Sequence, residues 1–203
     1  MSHDWRLLHD GALSGEENMR RDRELLENQR RPDARPTLRF FRWSSPTLTY
    51  GKLQGEGPAR QAAQAFGAAH VVRRPTGGGM VLHDKNLSLS LTWPRRSRAF
   101  PASSRSLYRT VHQILKTALR ECGTETSFFV PETSRKAGPG LCFSEPVTDD
   151  LMWRGKKVAG GALRATRWGF LYEGDVRTEL VDIAPEMLIE KITAAFRNYF
   201  SKG

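Results

Sequence analysis

The run AHVVRRPTGGGMVLHDKNLSLSLTW, residues 69–93, carries the signals that decide the fold. Ala69 to Arg74 and Met80 to His83 are strand-like, and Gly77-Gly78-Gly79 between them reads as a glycine-rich turn. Leu87, Leu89, Leu91 and Trp93 then alternate with Ser88, Ser90 and Thr92, the pattern of a half-buried strand. Working outward toward the C-terminus, Leu107, Val111, Ile114, Leu115, Ala118 and Leu119 keep a helical period, with Gly123 as its stop. Ser127 to Val130 predicts a short strand and Pro131 to Gly140 a loop. From Asp150 to Val176, short apolar runs broken by Gly155, Gly160-Gly161 and Gly169 predict meandering strands. A last helix begins near Pro185 with Leu188, Ile192, Ala195, Phe196 and Tyr199 as its apolar stripe.

Toward the N-terminus, Pro58 opens an Ala/Gln-rich helix that ends near Phe66-Gly67. Thr47 to Tyr50 and Thr37 to Trp43 read as strands, separated by Ser44-Ser45-Pro46, and residues 16–30 as a polar helix. Strands outnumber helices, and few are separated by helices long enough for βαβ units. The expected class is therefore α+β, a mixed and largely antiparallel sheet flanked by helices. The 203 residues are expected to form a single domain over 1–203 with no C-terminal accessory domain.

Hydrophobic content of 38% and charged content of 27% suit a packed core rather than disorder. No apolar run is long enough to span a bilayer, and the N-terminus lacks a signal-peptide segment. Only Cys122 and Cys142 occur, which argues against a disulfide framework and suits a reducing, cytoplasmic setting. The formal net charge of +10 points either to a solvated basic surface or to an acidic partner. No zinc finger, RNP-like aromatic motif or heptad repeat supports nucleic acid as that partner.

Three constellations could carry chemistry. In the first, Gly77-Gly78-Gly79 can bring backbone N–H groups close to a ligand, with Arg73 and Arg74 ahead as charge clamps and His83-Asp84 behind. The bland alternative is a hairpin turn. No Gly-Lys-Ser/Thr follows, so this is not a P-loop. In the second, Cys142 in Leu141-Cys142-Phe143-Ser144-Glu145-Pro146 is an accessible thiol able to exchange thioesters, or else a small buried hydrophobe. Cys122, at a helix end, reads as structural. The third is Asp149-Asp150-Leu151-Met152-Trp153-Arg154-Gly155-Lys156-Lys157-Val158-Ala159-Gly160-Gly161: a lysine among small residues can donate to a carbonyl or phosphate, or can simply be solvated on a surface hairpin.

In this order the pieces resemble the biotin/lipoate protein ligase and octanoyltransferase superfamily. Arg73 to Gly79 with His83-Asp84 is similar to its signature loop, and Gly155 to Gly160 to its lysine motif. Trp5-Arg6-Leu7-Leu8, Glu17-Asn18-Met19, Pro36 to Phe40 and Trp43 extend the likeness across roughly residues 5 to 200. The chain departs from the pattern at Leu163 for a glutamine, at Glu173 for a histidine, and at Arg20-Arg21-Asp22.

The resemblance implies a groove for a linear acyl chain and transfer of octanoyl or lipoyl groups to a lysine of a lipoyl domain. It implies Cys142 and Lys157 as catalytic residues. It implies Arg73, Arg74, Thr76, Gly77, Gly78, Gly79, His83, Gly160, Gly161 and Ala162 as substrate-binding residues, with no metal site. Octanoyltransferases of this kind take octanoate from acyl carrier protein through a cysteine thioester and need no cofactor. The alternative is a lipoate ligase using ATP and Mg²⁺. The implied partners are acidic acyl carrier protein and lipoyl-domain proteins, such as glycine cleavage H protein or dehydrogenase E2 subunits. The Cys-Phe pair 15 positions before Lys157 favours the transferase. A diverged, non-catalytic binding module is the third reading.

Overall fold

The structure, a computed structural model, describes residues 5–97, 100–131 and 145–200. In chain order its strands are β1 (Arg6–Leu13), β2 (Thr37–Trp43), β3 (Thr47–Tyr50), β4 (His70–Arg73), β5 (Val81–His83), β6 (Leu87–Pro94), β7 (Ser127–Phe128), β8 (Leu151–Trp153), β9 (Lys156–Ala165) and β10 (Gly169–Val176). Its helices are α1 (Gly15–Asn28), α2 (Glu56–Phe66), α3 (Ser104–Glu121), α4 (Thr178–Val181) and α5 (Pro185–Phe200).

The larger sheet has the order β1-β2-β6-β10-β9-β8-β7, and the smaller one β4-β3-β5. Only β1·β2 and β3·β4 are parallel among these pairs. This is the expected mixed, mostly antiparallel α+β architecture. The strand β1 had no clear signal in the sequence. Its burial does not alternate, its register on β2 shifts between His9 and Ala12, and Gly11 there has a φ of +66°.

Local chemistry explains the helix boundaries. Ser14 caps α1 by accepting the Glu17 N–H at 3.2 Å. Ser103 and Ser106 form a reciprocal capping box on α3, and Gly123 ends that helix at a φ of +84°. Helix α2 starts at Glu56, two residues before the expected Pro58. The proline lies in the first turn, where its missing N–H would have had no intrahelical partner.

The main core lies between the larger sheet and α3 with α5, around Leu38, Phe40, Leu89, Leu91, Val111, Leu115, Ile192 and Phe196. Tyr199, expected on the α5 stripe, is exposed. A second cluster, Leu48, Tyr50, Ala59, Ala63 and Met80, joins the smaller sheet to α2. A third, Met19, Phe41, Trp43 and Val72, closes the space where α1 meets both sheets.

Two expectations change. β6 is buried on both faces, not one. Its leucines face the main core, while Ser88 and Ser90 face α1 and bond to Asp175 and Asp22. And the glycine-rich segment does not close a hairpin. β4 and β5 are not paired with each other, because β3 lies between them.

Candidate active site

Strand register places the wall of a slot. On the face turned toward α1, one row across the sheet is Arg39, Ser90, Glu173 and Ala162, and the next is Phe41, Ser88, Asp175 and Gly160. Met19, Trp43 and Val81 add apolar surface, and Gly78 of the glycine loop lines the same space. A Cβ at Gly78 would stand 3.5 Å from Ala162 Cβ, so the glycine loop lies directly over β9.

The loop is held from beneath. Arg74 is buried; its guanidinium donates to Gly77 O at 2.9 Å, to Gly79 O at 2.7 Å and to Thr49 Oγ1 at 2.7 Å. Lys52 N–H donates to Thr76 O at 2.8 Å. A side chain at Gly51 would meet Gly78 O at 2.2 Å, so the loop can cross the end of β3 only over a glycine. Gly78 itself has a φ of +87°. Arg74 thus shapes the loop. Arg73 points outward, exposed, with its guanidinium 5.5 Å from the centre of the Tyr50 ring.

The two lysines of the hairpin part company. Arg154 and Gly155, at φ +48° and +75°, make a two-residue turn between Trp153 and Lys156. Lys156 is exposed, but Lys157 Nζ sits 2.7 Å from Asp150 Oδ2 with the two side chains 1% and 0% exposed. The ammonium folds back over Gly160, where an added Cβ would come within 2.6 Å of Nζ. Asp150 is itself fixed: Oδ2 also accepts Val147 N–H at 2.7 Å, and Oδ1 accepts the Tyr108 hydroxyl at 2.5 Å. That hydroxyl accepts Gly161 N–H at 3.2 Å. Burial, reinforced by Asp150, raises the Tyr108 pKa, so the phenol stays a donor.

Behind this pair, His112 Nδ1 donates to Asp149 O at 2.6 Å, which leaves Nε2 to accept the Tyr172 hydroxyl at 2.8 Å. Burial pushes His112 down to about 4, consistent with a neutral ring. The Tyr172 ring lies over the opposed pair Gly161 and Gly174; a Cβ on either would come within 2.6 Å of it.

On the far side of the slot, His83 stacks on Trp43 at 4.0 Å between ring centres. Its Nε2 is 2.7 Å from Thr49 Oγ1 and its Nδ1 is 3.2 Å from Asp175 Oδ1. Burial opposes the Asp175 charge, but His83, Ser88 and Arg74 hold the carboxyl below its ordinary value. Thr76 donates to Glu173 Oε2.

The structure therefore brings Arg74, Gly78, His83, Gly160, Gly161 and Ala162 to one slot. Lys157 lies against its Gly160 wall, and Thr76 is bonded to its Glu173. Arg73 stands outside. Cys142 lies outside the described residues. Cys122 is the C-cap of α3, as a structural thiol would be. Tyr108 and His112 were not singled out from sequence, and Asp150 entered only at the head of the run that holds the lysine motif. The i, i+4 spacing of Tyr108 and His112 on one helix face was the available signal. Among the described residues no group of three or more His, Cys, Asp or Glu side chains is arranged to hold a metal ion. No helix among them is long and apolar enough to cross a membrane.

Fold and site together define a mixed-sheet domain that sets a buried lysine beside a slot roofed by a glycine loop. The chain belongs to the lipoyl protein ligase A/B catalytic domain family, whose profile matches residues 14–196. It is 34% identical over 193 residues to octanoyltransferase LipM of Kyrpidia tusciae, covering 91% of this chain and 68% of that protein. It is 30% identical over 202 residues to octanoyltransferase LipM of Staphylococcus aureus, covering 94% and 72%. Among solved structures it is similar to lipoate-protein ligase A bound with ATP, with a TM-score of 0.74, 20% identity and coverage of 99% and 86%. It is also similar to the bipartite lipoate protein ligase of Thermoplasma acidophilum, with a TM-score of 0.73, 17% identity and coverage of 97% and 83%. At these identities the structural likeness speaks for the fold alone.

Proposed function

We infer that this chain is a protein octanoyltransferase: it takes octanoate from octanoyl-acyl carrier protein onto Cys142 and passes it to a lysine of a lipoyl domain. The observation that carries this reading is the Lys157 ammonium, buried against the Gly160 wall of the slot beneath the glycine loop. The likeness to octanoyltransferases supports it.

In the first step the Cys142 thiolate attacks the thioester carbonyl, a new S–C bond forms, and the carrier's thiolate leaves. In the second, the neutral amine of the acceptor lysine attacks the acyl-enzyme. A C–N bond forms, the S–C bond breaks, and the amine's proton goes to solvent or to the departing thiolate. Lys157 donates to the acyl carbonyl and steadies the oxyanion in both steps, with Asp150 holding the ammonium in place. A thioester already stores the energy of the amide bond, so the transferase route calls for no cofactor.

Acidic carriers suit the surface near the slot. Arg23, Arg30, Arg164 and Arg167 line a groove with Trp168 between α1 and the β9–β10 turn, and Arg164 Nη1 donates to Pro75 O at 3.3 Å, at the root of the glycine loop.

Intact-mass measurement after mixing with octanoyl-acyl carrier protein is expected to show an octanoyl thioester adduct that disappears in Cys142→Ser. No adduct on the natural chain, or the same adduct on Cys142→Ser, would sink this mechanism. Labelling of a lipoyl domain by lipoate and ATP that survives Cys142→Ala would instead indicate a ligase.

A further inference from the structure

Two acids that the transfer steps do not use meet at the slot. Asp22 on α1 and Glu173 on β10 are near enough to feel each other's charge, and they are 0% and 6% exposed. Among the described residues Asp22 Oδ2 and Glu173 Oε1 are buried with no hydrogen-bond partner. Carboxylate oxygens only accept, so a buried carboxyl oxygen left without a donor favours the protonated acid. Asp22 Oδ1 already takes Arg39 Nη1 at 2.9 Å and Ser90 Oγ at 2.7 Å. Burial raises Asp22 as well, but the Arg39 cation opposes that rise, so Glu173 is the acid that more readily keeps a proton. Burial first, and then the Asp22 charge, push Glu173 up to about 8.

We propose that Glu173 is a specificity-determining residue: while it holds a proton the slot wall is neutral and takes an uncharged aliphatic tail, and when that proton is lost the tail is turned away. Glu173 lines the slot beside Met19, Phe41 and Trp43, where an ionised carboxylate would demand water or new donors in the volume the tail needs. The charged groups around it are Asp22 on α1, Arg39 on β2, Arg74 before the glycine loop, His83 on β5 and Asp175 on β10. Arg39 and Asp22 are paired, Arg74 is engaged by the loop carbonyls, and His83 and Asp175 face each other. The proton on Glu173 is thus the wall's adjustable charge. The resemblance put a histidine at this position, so the device belongs to this chain and not to its pattern.

The proposal rests on the acyl-substrate reading but not on Cys142. Its test is calorimetric binding of the amide analogue of octanoyl-pantetheine, which no thiol can cleave, between pH 7 and pH 9. If the protonated form alone binds, affinity is expected to fall about tenfold across that range, following the protonated fraction. In Glu173→Gln, which keeps shape and a donor but cannot titrate, the curve is expected to be flat. In Asp22→Asn the decline is expected to move to lower pH, because the negative neighbour is gone. A flat curve for the natural chain, a decline that persists in Glu173→Gln, or no binding at any pH would overturn the proposal. Should Glu173→Gln fail to fold, the natural and Asp22→Asn curves still decide it. Absence of the thioester adduct would leave this result standing.

Discussion

Lys157 and Lys156 show how one position in a strand separates a solvated charge from a buried one. Successive side chains in a strand point to opposite faces, so one of the pair had to turn inward. Which one turns in depends on the register of the β8–β9 hairpin, set by the Arg154-Gly155 turn and the irregularity between Leu151 and Met152. The buried ion pair makes a sharp demand on its members. Replacing Asp150 by Ala leaves an ammonium inside the protein without its counterion, which typically costs about 3–5 kcal/mol. Urea denaturation of Asp150→Ala is expected to show a loss of that order. The double variant Asp150→Ala/Lys157→Met should lose less than the sum of the two single changes, since neither then strands a charge. A loss under about 1 kcal/mol in Asp150→Ala would mean the pair is not dry.

At the scale of elements, β9 and β10 are matched glycine to glycine. Gly161 and Gly174 oppose each other so that the Tyr172 ring can lie flat across them and reach His112. A methyl group at position 161 would strike ring atoms at 2.5–2.6 Å, and Tyr172 is fully buried with nowhere to swing. Gly161→Ala is therefore expected to cost about 1–3 kcal/mol by overpacking. Gly161→Ala/Tyr172→Leu should recover part of it, read as a thermal midpoint. Equal midpoints for the two variants would rule out the ring as the cause. The neighbouring strand β6 carries the same lesson. Its Leu/Ser alternation correctly announced a strand with one apolar face. Its serine face is also buried, because Asp22 and Asp175 supply acceptors that let hydroxyls leave water.

Over the whole molecule the charge of +10 gathers in part into one arginine groove. The groove of Arg23, Arg30, Arg164 and Arg167 reaches the glycine loop through Arg164 and Pro75. If acidic carriers use it, charge reversal in Arg164→Glu/Arg167→Glu should raise KM for octanoyl-acyl carrier protein roughly tenfold or more at low salt. KM for octanoyl-pantetheine should hardly change, and the defect should shrink as salt screens the surface. Equal effects on carrier and small thioester would place the arginines in the slot's own machinery instead.

The sequence by itself determined the local elements and the kinship. Periodicity, caps and turn residues act over a few positions, which is why β2, β3, α1, α3 and the β8–β10 meander were legible, and why the glycine loop and lysine motif stood out. Only the tertiary structure decided that β3 lies between β4 and β5, that Arg74 splints the loop while Arg73 leaves it, that Lys157 is paired with Asp150 inside, and that Asp22 and Glu173 are both buried beside the slot. These facts depend on strand order and on which distant groups packing forces out of water together. A buried carboxyl or ammonium is defined by its neighbours across the fold, and nothing in its immediate chain neighbourhood says who they will be.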